Sequence, residues 1–195
     1  MFDNDLIAAK LRRWEQYLDR YRLPAWDDIP DIGLYMEQVV LVLQRWLDYL
    51  PPELKEEQFI TAATINNYVR NKVMPMPVKK RYYRAHLAYL VMICSLKQGP
   101  SISLIQRLIP NNLPEDELHA LYDAYVERHR AAIQYFGQQV RLAAAPILKH
   151  DASSALSSER TEDMIAASAV IGGFSRLLAE KLLLLEGQRL EAEPE

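Results

Sequence analysis

The sequence predicts an all-α protein with one small β-wing, and three observations carry that expectation. Apolar residues recur at helical spacing through most of the chain. Six glycines in 195 residues are too few for the turns of a strand-rich fold. In the one stretch that refuses helix, "KVMPMPVKKRYY", Pro75 and Pro77 favour extended or turning backbone, which makes it the expected wing.

The helices follow in order. Ile7, Leu11, Trp14, Leu18 and Tyr21 alternate steps of four and three, giving an amphipathic helix with one apolar stripe. After the loop "LPAWDDIPD", the stretch "IGLYMEQVVLVLQRWLDYL" reads as a buried helix stopped by Pro51 and Pro52. Thr61 can cap a short helix "TAATINNYVRN". From Tyr83 to about Lys97 the chain is apolar nearly all round, so that helix belongs in the core and ends at Gly99 and Pro100. Ser101 or Ser103 can cap "LIQRLI", which Pro110 closes. Asn112 and Pro114 open a long helix whose Leu118, Leu121, Tyr125, His129, Ile133 and Phe136 mark one face. "HDASSALSSE" is a polar break, and a last helix runs from Thr161 to Gly187, ahead of an acidic tail.

Charge is segregated along the chain. Residues 1–57 hold 12 acids and 7 bases, residues 58–114 hold 8 bases and no acid, and residues 115–195 hold 14 acids and 8 bases. A middle third of one sign between acidic flanks points to a polyanionic partner. On a helical wheel, Ala62, Ile65, Tyr68 and Val69 share one arc of the short helix, and Ala63, Asn66, Asn67, Arg70 and Asn71 share the other. The second set can read bases: Asn pairs with an adenine edge, Arg forks onto guanine, and alanine admits a thymine methyl. Lys72, Lys79, Lys80, Arg81 and Arg84 follow, placed to hold the sugar-phosphate backbone. A carboxylate there would repel phosphate, which explains the absence of acids.

These residues resemble the MerR-type winged helix-turn-helix. Thr64, Ile65 and Tyr68 match its recognition helix, Pro75, Pro77, Arg81 and Tyr83 its wing, and Leu87, Leu90, Ile93, Leu96, Ser103, Leu104, Ile105 and Leu108 the helices after it. "LPAWDDIPDIGLYMEQVV" with "INNYV" and "PVKK" resembles, more closely, a bacterial domain family of unknown function regarded as a MerR-like branch, over residues 24–110. The resemblance implies transcription regulation by a homodimer, with Thr64, Asn67, Arg70, Lys79, Lys80, Arg81 and Tyr83 facing DNA. The chain departs from the pattern in a shorter, glycine-free wing, in "NNYV" replacing Arg-Tyr-Tyr, and in a helical C-terminal third replacing the usual dimerisation helix.

The expected organisation is an N-terminal amphipathic helix at 1–23, a MerR-like winged helix-turn-helix domain at 24–110, and a helical dimerisation or effector region at 111–195. Double-stranded DNA, a second copy of the chain and an unknown small-molecule effector are the expected partners. A protein-interaction module that does not bind DNA, and a small-molecule sensor, are the rival readings. No catalysis, cofactor or metal is expected. Asp116, His119 and Asp123 share a helical face that could hold a cation but reads better as solvated, and Cys94 sits in an apolar run where it reads as core. A single cysteine, no apolar stretch near 20 residues and an acidic N-terminus lead to the expectation of a cytoplasmic protein without a membrane span.

Overall fold

The computed structural model describes residues 3–48, 60–96, 101–151 and 154–184, with the side chains of the last helix described through residue 178. Eight α-helices are seen among the described residues: α1 (Asn4–Arg20), α2 (Met36–Trp46), α3 (Ala62–Arg70), α4 (Arg84–Leu96), α5 (Ile102–Leu108), α6 (Glu115–Ala143), α7 (Ala145–Leu148) and α8 (Thr161–Leu184). One 3-10 turn, Trp26–Asp28, interrupts the extended segment between α1 and α2.

Helix starts follow local chemistry. The Asp3 carboxylate accepts from the N–H groups of Asp5 and Leu6, Thr61 Oγ1 accepts from Thr64 N–H at 3.1 Å, and Ser101 Oγ accepts from Leu104 N–H at 3.4 Å. Each satisfies an amide that the helix itself leaves without a partner.

Helix α4 is the centre of the core. Its residues His86 to Cys94 are all buried, leaving it no solvent face, so neighbours must cover every side. Val39 and Leu43 of α2, Ile65 and Tyr68 of α3, Ile105 of α5, and Leu118 and Tyr122 of α6 do so. The Tyr122 hydroxyl donates to the Pro24 carbonyl at 2.8 Å and ties α6 to the segment before Trp26. The core thus runs past residue 110 into the long helix. A second, smaller cluster joins Ala8 to Ala144, Ile147 and Leu148, with Ile7, Leu11 and Met164 packed on it. Arg12 donates to the Leu148 carbonyl at 2.9 Å, and Arg141 of α6 pairs with Glu15 and, at 3.3 Å, with Asp19.

The expected β-wing is absent. No strand occurs among the described residues, only two isolated bridges, Leu34 with Tyr82 and Val78 with Arg81. Hydrogen bonding explains why the pairing stops. Next to the Val78–Arg81 pair, Pro77 has no N–H, Tyr82 exchanges both its bonds with Leu34 at 2.8 and 2.9 Å, and Tyr83 N–H goes to His86 Nδ1. The helical class stands, but the winged architecture read from the resemblance does not.

Other expectations shift as well. Ile32–Tyr35, read as the start of the second helix, lies before α2, with Leu34 held by Tyr82, and Leu41 of α2 is exposed rather than buried. Ala62, assigned to the inner arc of α3, is exposed. The end of the long helix divides at Ala144, and the short α7 before left-handed Lys149 was not foreseen. Pro51, Pro52, Lys97, Gly99, Pro100, Leu185, Gly187 and the acidic tail lie outside the described residues, as do the side chains of Leu182, Leu183 and Leu184. No helix among the described residues is long and apolar enough to cross a membrane.

Candidate nucleic-acid interface

Helix α3 has the two faces its sequence requires. Ile65 and Tyr68 are buried, whereas Ala63, Asn66, Arg70 and Asn71 are exposed and Asn67 is half-buried. Arg70 Nη2 donates to Asn67 Oδ1 at 2.7 Å, and Asn71 Nδ2 donates to the same oxygen at 3.0 Å. Both lone pairs of that carbonyl are therefore engaged. Asn67 cannot pair bidentately with adenine without releasing them, so its role here is to orient Arg70. Arg70 and Asn66 present their side chains on the exposed face.

The helix ends in a double bond pattern: Val73 N–H reaches Tyr68 O at 2.9 Å and Lys72 N–H reaches Val69 O at 3.1 Å. This is a Schellman motif, and it puts Lys72 at φ 55° where glycine is usual. Gln106 Nε2 donates to the Asn71 carbonyl at 2.8 Å and Asn111 Nδ2 to the Lys72 carbonyl at 3.1 Å, bracing the exit from two later segments.

Lys79 and Lys80 occupy the middle of a two-residue turn. Val78 and Arg81 exchange N–H to carbonyl bonds of 3.0 and 2.9 Å, and the two lysines have φ of 49° and 63°. Positive φ at both central positions is what a type I′ turn needs, and Asn-Gly is the sequence that adopts it most readily. Each left-handed lysine costs about 1–2 kcal/mol of backbone energy. Both side chains are exposed.

The turn is held at its base by His86, Gly33 and Tyr35, which the sequence did not single out, and by Arg81, which it did. His86 is 7% exposed; its Nδ1 accepts from Tyr83 N–H at 3.1 Å, and its Nε2 lies 3.0 Å from the Met76 carbonyl. Those partners require a neutral ring with the proton on Nε2. Arg81 donates to the Gly33 carbonyl at 3.3 Å and the Tyr35 hydroxyl at 2.8 Å, and lies over the Tyr35 ring at 4.6 Å. A Cβ on Gly33 would come within 2.8 Å of Arg81 Cδ and 3.1 Å of Tyr83 Cζ, so the close approach demands glycine. The reach of His86 back to Tyr83 has the spacing of a capping box and was legible in principle; the Gly33 contact, spanning 48 residues, was not.

Of the ten sequence-derived positions, Asn66, Arg70, Lys72, Lys79, Lys80, Arg81 and Tyr83 are exposed, and Thr64, Asn67 and Arg84 are half-buried. Thr64 is used in the α3 cap, with its hydroxyl 2.9 Å from that of Thr61, and Asn67 holds Arg70. Arg81 and Arg84 are fasteners: Arg84 Nε donates to the Ile29 carbonyl at 3.0 Å and its guanidinium lies 6.0 Å from the Trp26 ring centre. Tyr83 packs at Gly33 and is 36% exposed. These fasteners bring the loop carrying Asp27, Asp28 and Asp31 alongside the turn, so a stretch of sequence free of acids is not a surface free of them.

Elsewhere, His119 stacks on Trp26 at 4.6 Å and lies 3.2 Å from Asp123, and no group of three metal-ligating side chains is found among the described residues. Cys94 is fully buried. No curated protein and no solved structure matches the chain. A domain of unknown function, DUF1836, matches residues 24–125, a span that contains α2 to α5, the lysine turn and the first third of α6. The chain belongs to the DUF1836 family.

Proposed function

We propose that this protein is a sequence-specific, double-stranded DNA-binding transcriptional regulator whose contact surface is the outer face of α3 together with the lysine turn. The observation that carries the reading is the backbone of Lys72, Lys79 and Lys80. All three are exposed, and all three occupy left-handed positions that glycine or asparagine fills at lower cost. Strain held in place by fasteners on every side is characteristic of functional segments. Cations presented rigidly suit a rigid polyanion.

Distance supports the same assignment. Lys79 follows Lys72 by seven steps of chain, so they lie at most about 25 Å apart, less than the roughly 34 Å of one turn of duplex. Arg70, preset by Asn67, is the reader, and the lysines are the holders.

A specific observation favours a second reading, a protein-binding module. Met76, Ile32, Val78 and Tyr35 surround the same turn and are 75%, 63%, 53% and 49% exposed, an apolar rim that phosphate does not need. Selection of bound duplexes from a random DNA pool, followed by titration across salt, separates the two. Three phosphate contacts per chain give a slope of log K against log salt of about -3 per chain. Absence of duplex binding at low salt, or a flat slope, removes the DNA reading.

A further inference from the structure

Lys72 follows the Asn71 cap of α3, and both peptide planes around its Cα are held at both ends. In the plane before it, the Asn71 carbonyl accepts from Gln106 Nε2 at 2.8 Å and the Lys72 N–H donates to Val69 O at 3.1 Å. In the plane after it, the Lys72 carbonyl accepts from Asn111 Nδ2 at 3.1 Å and the Val73 N–H donates to Tyr68 O at 2.9 Å. Four bonds thus fix φ and ψ of a lysine whose left-handed backbone is otherwise unfavourable. Asn111 does this at a cost to stability, because its Oδ1 is buried and has no hydrogen-bond partner among the described residues. The loop that carries Asn111 is held in turn from the core. The Tyr89 hydroxyl of α4 donates to the Pro110 carbonyl at 3.0 Å and accepts from Leu113 N–H at 3.1 Å, so the hydroxyl of a fully buried tyrosine spans the loop.

We infer that Tyr89, Asn111 and Gln106 are positioning residues for Lys72, which they hold from the core outward in the pose that meets a phosphate of the duplex; the inference rests on the DNA reading above. The direction in which a side chain leaves Cα is set by φ and ψ, so a Lys72 that slips out of the left-handed region carries its ammonium elsewhere. Local chemistry alone would put glycine at this position, as in most helices that end this way. A braced lysine keeps a cation where glycine would keep only the turn. Packing does not require the device either, since phenylalanine at position 89 would fill nearly the same core volume without reaching the loop. Backbone strain and a buried amide oxygen without a partner, gathered at one exposed cation, are costs that a functional segment bears and a plain connection does not. Arg70 is preset by Asn67 and Lys72 by Asn111 and Gln106, so reader and holder leave α3 in a fixed relation and little ordering remains to be done on binding.

The test is a set of double-mutant cycles on the full chain, read as affinity and salt slope for the duplex selected from a random pool, with thermal melts confirming that each variant is folded. Lys72→Ala keeps the backbone demand and removes the charge, and is expected to weaken binding about eightfold in 0.1 M salt and to make the slope shallower by about 0.9. Asn111→Ala and Tyr89→Phe leave every cation in place, yet each is expected to weaken binding at least about threefold and to make the slope shallower, because the phosphate contact of Lys72 is loosened. In the Lys72→Ala background neither change has a further effect on affinity or slope. Should either variant fail to fold, Gln106→Ala, at an exposed position, carries the same test through the other peptide plane. The inference is overturned if these changes weaken binding as much in the Lys72→Ala background as in the wild type, if they leave the salt slope unchanged, or if they bind as the wild type does. Failure of the DNA reading itself shows earlier and separately, as a wild-type chain that binds no duplex or binds it with a flat slope, and it takes this inference with it.

Discussion

Helices α4 and α8 are alike in apolar content and opposite in fate. Helix α4 has nine consecutive buried residues, whereas from Ile165 to Leu178 the large apolar side chains of α8 lie largely in solvent. Composition says that a helix wants cover; only the surrounding elements say what supplies it. Helices α2, α3 and α6 surround α4, whereas among the described residues α8 packs on a core cluster through Met164. Cover for α4 comes from within the chain, and the described residues supply none for α8 beyond Met164 and Ala167.

The sharpest way to break that comparison is to remove the same side chain from both. Leu90→Ala in α4 should cost about 2–5 kcal/mol, because Leu90 is fully buried and the cavity cannot refill. Leu178→Ala in α8 should leave the unfolding free energy of the monomer within about 0.5 kcal/mol. Urea unfolding at two protein concentrations measures both. A large, concentration-independent cost at Leu178 would mean that α8 is covered intramolecularly after all.

The lysine turn is a third kind of region, in which the side chains add nothing to the core and the backbone works against stability. Replacing Lys79 by Asn and Lys80 by Gly supplies the preferred type I′ pair and should raise stability by roughly 1–2 kcal/mol. The same variant should bind duplex more weakly and reduce the salt slope by about two. Thermal melts and a salt titration give the two readings. A variant that is both less stable and equally good at binding would remove the argument from strain.

Acid should distinguish the body from α8. His129 of α6 lies between Tyr21 and Tyr125, with ring centres 6.1 Å from each, and burial pushes its pKa below its ordinary 6.5. Below pH 6.5 the unfolded chain therefore binds a proton that the folded chain resists, and stability falls as pH falls. Above that value its contribution is complete and level. The described part of α8 contains no histidine, so the acid-linked loss should arise in the body. His129→Gln should flatten the stability profile measured by thermal melts across that window.

Much of this organisation was legible because it is local. The Thr61 and Ser101 caps, the inner face of α3 and the all-apolar α4 follow from residues within a turn or two of each other. What was not legible depends on distant partners. The bonds of Arg81 and Arg84 to the carbonyls of Gly33 and Ile29 come from some fifty residues away and leave no local trace. The wing failed for the same reason: Tyr82 pairs with Leu34 and not with its neighbour across the turn. The bonds from Arg70 and Asn71 to Asn67 were not legible either, because a wheel shows which residues share a face and not which of them bond to each other.

The smallest expected effect tests how far the inner and outer faces of α3 are separate. Tyr68 is 1% exposed, its hydroxyl has no hydrogen-bond partner among the described residues, and burial drives its pKa upward. A buried hydroxyl without a partner carries a desolvation cost that the ring does not. Tyr68→Phe keeps the ring against the core and removes that cost, so stability should stay level or rise by up to about 1 kcal/mol. Because the change lies on the face away from Asn66 and Arg70, duplex affinity should be unaltered. A loss of more than about 1 kcal/mol would mean that the hydroxyl is satisfied by water held under the helix. A change in DNA preference would mean that the buried ring sets the angle at which Arg70 is presented.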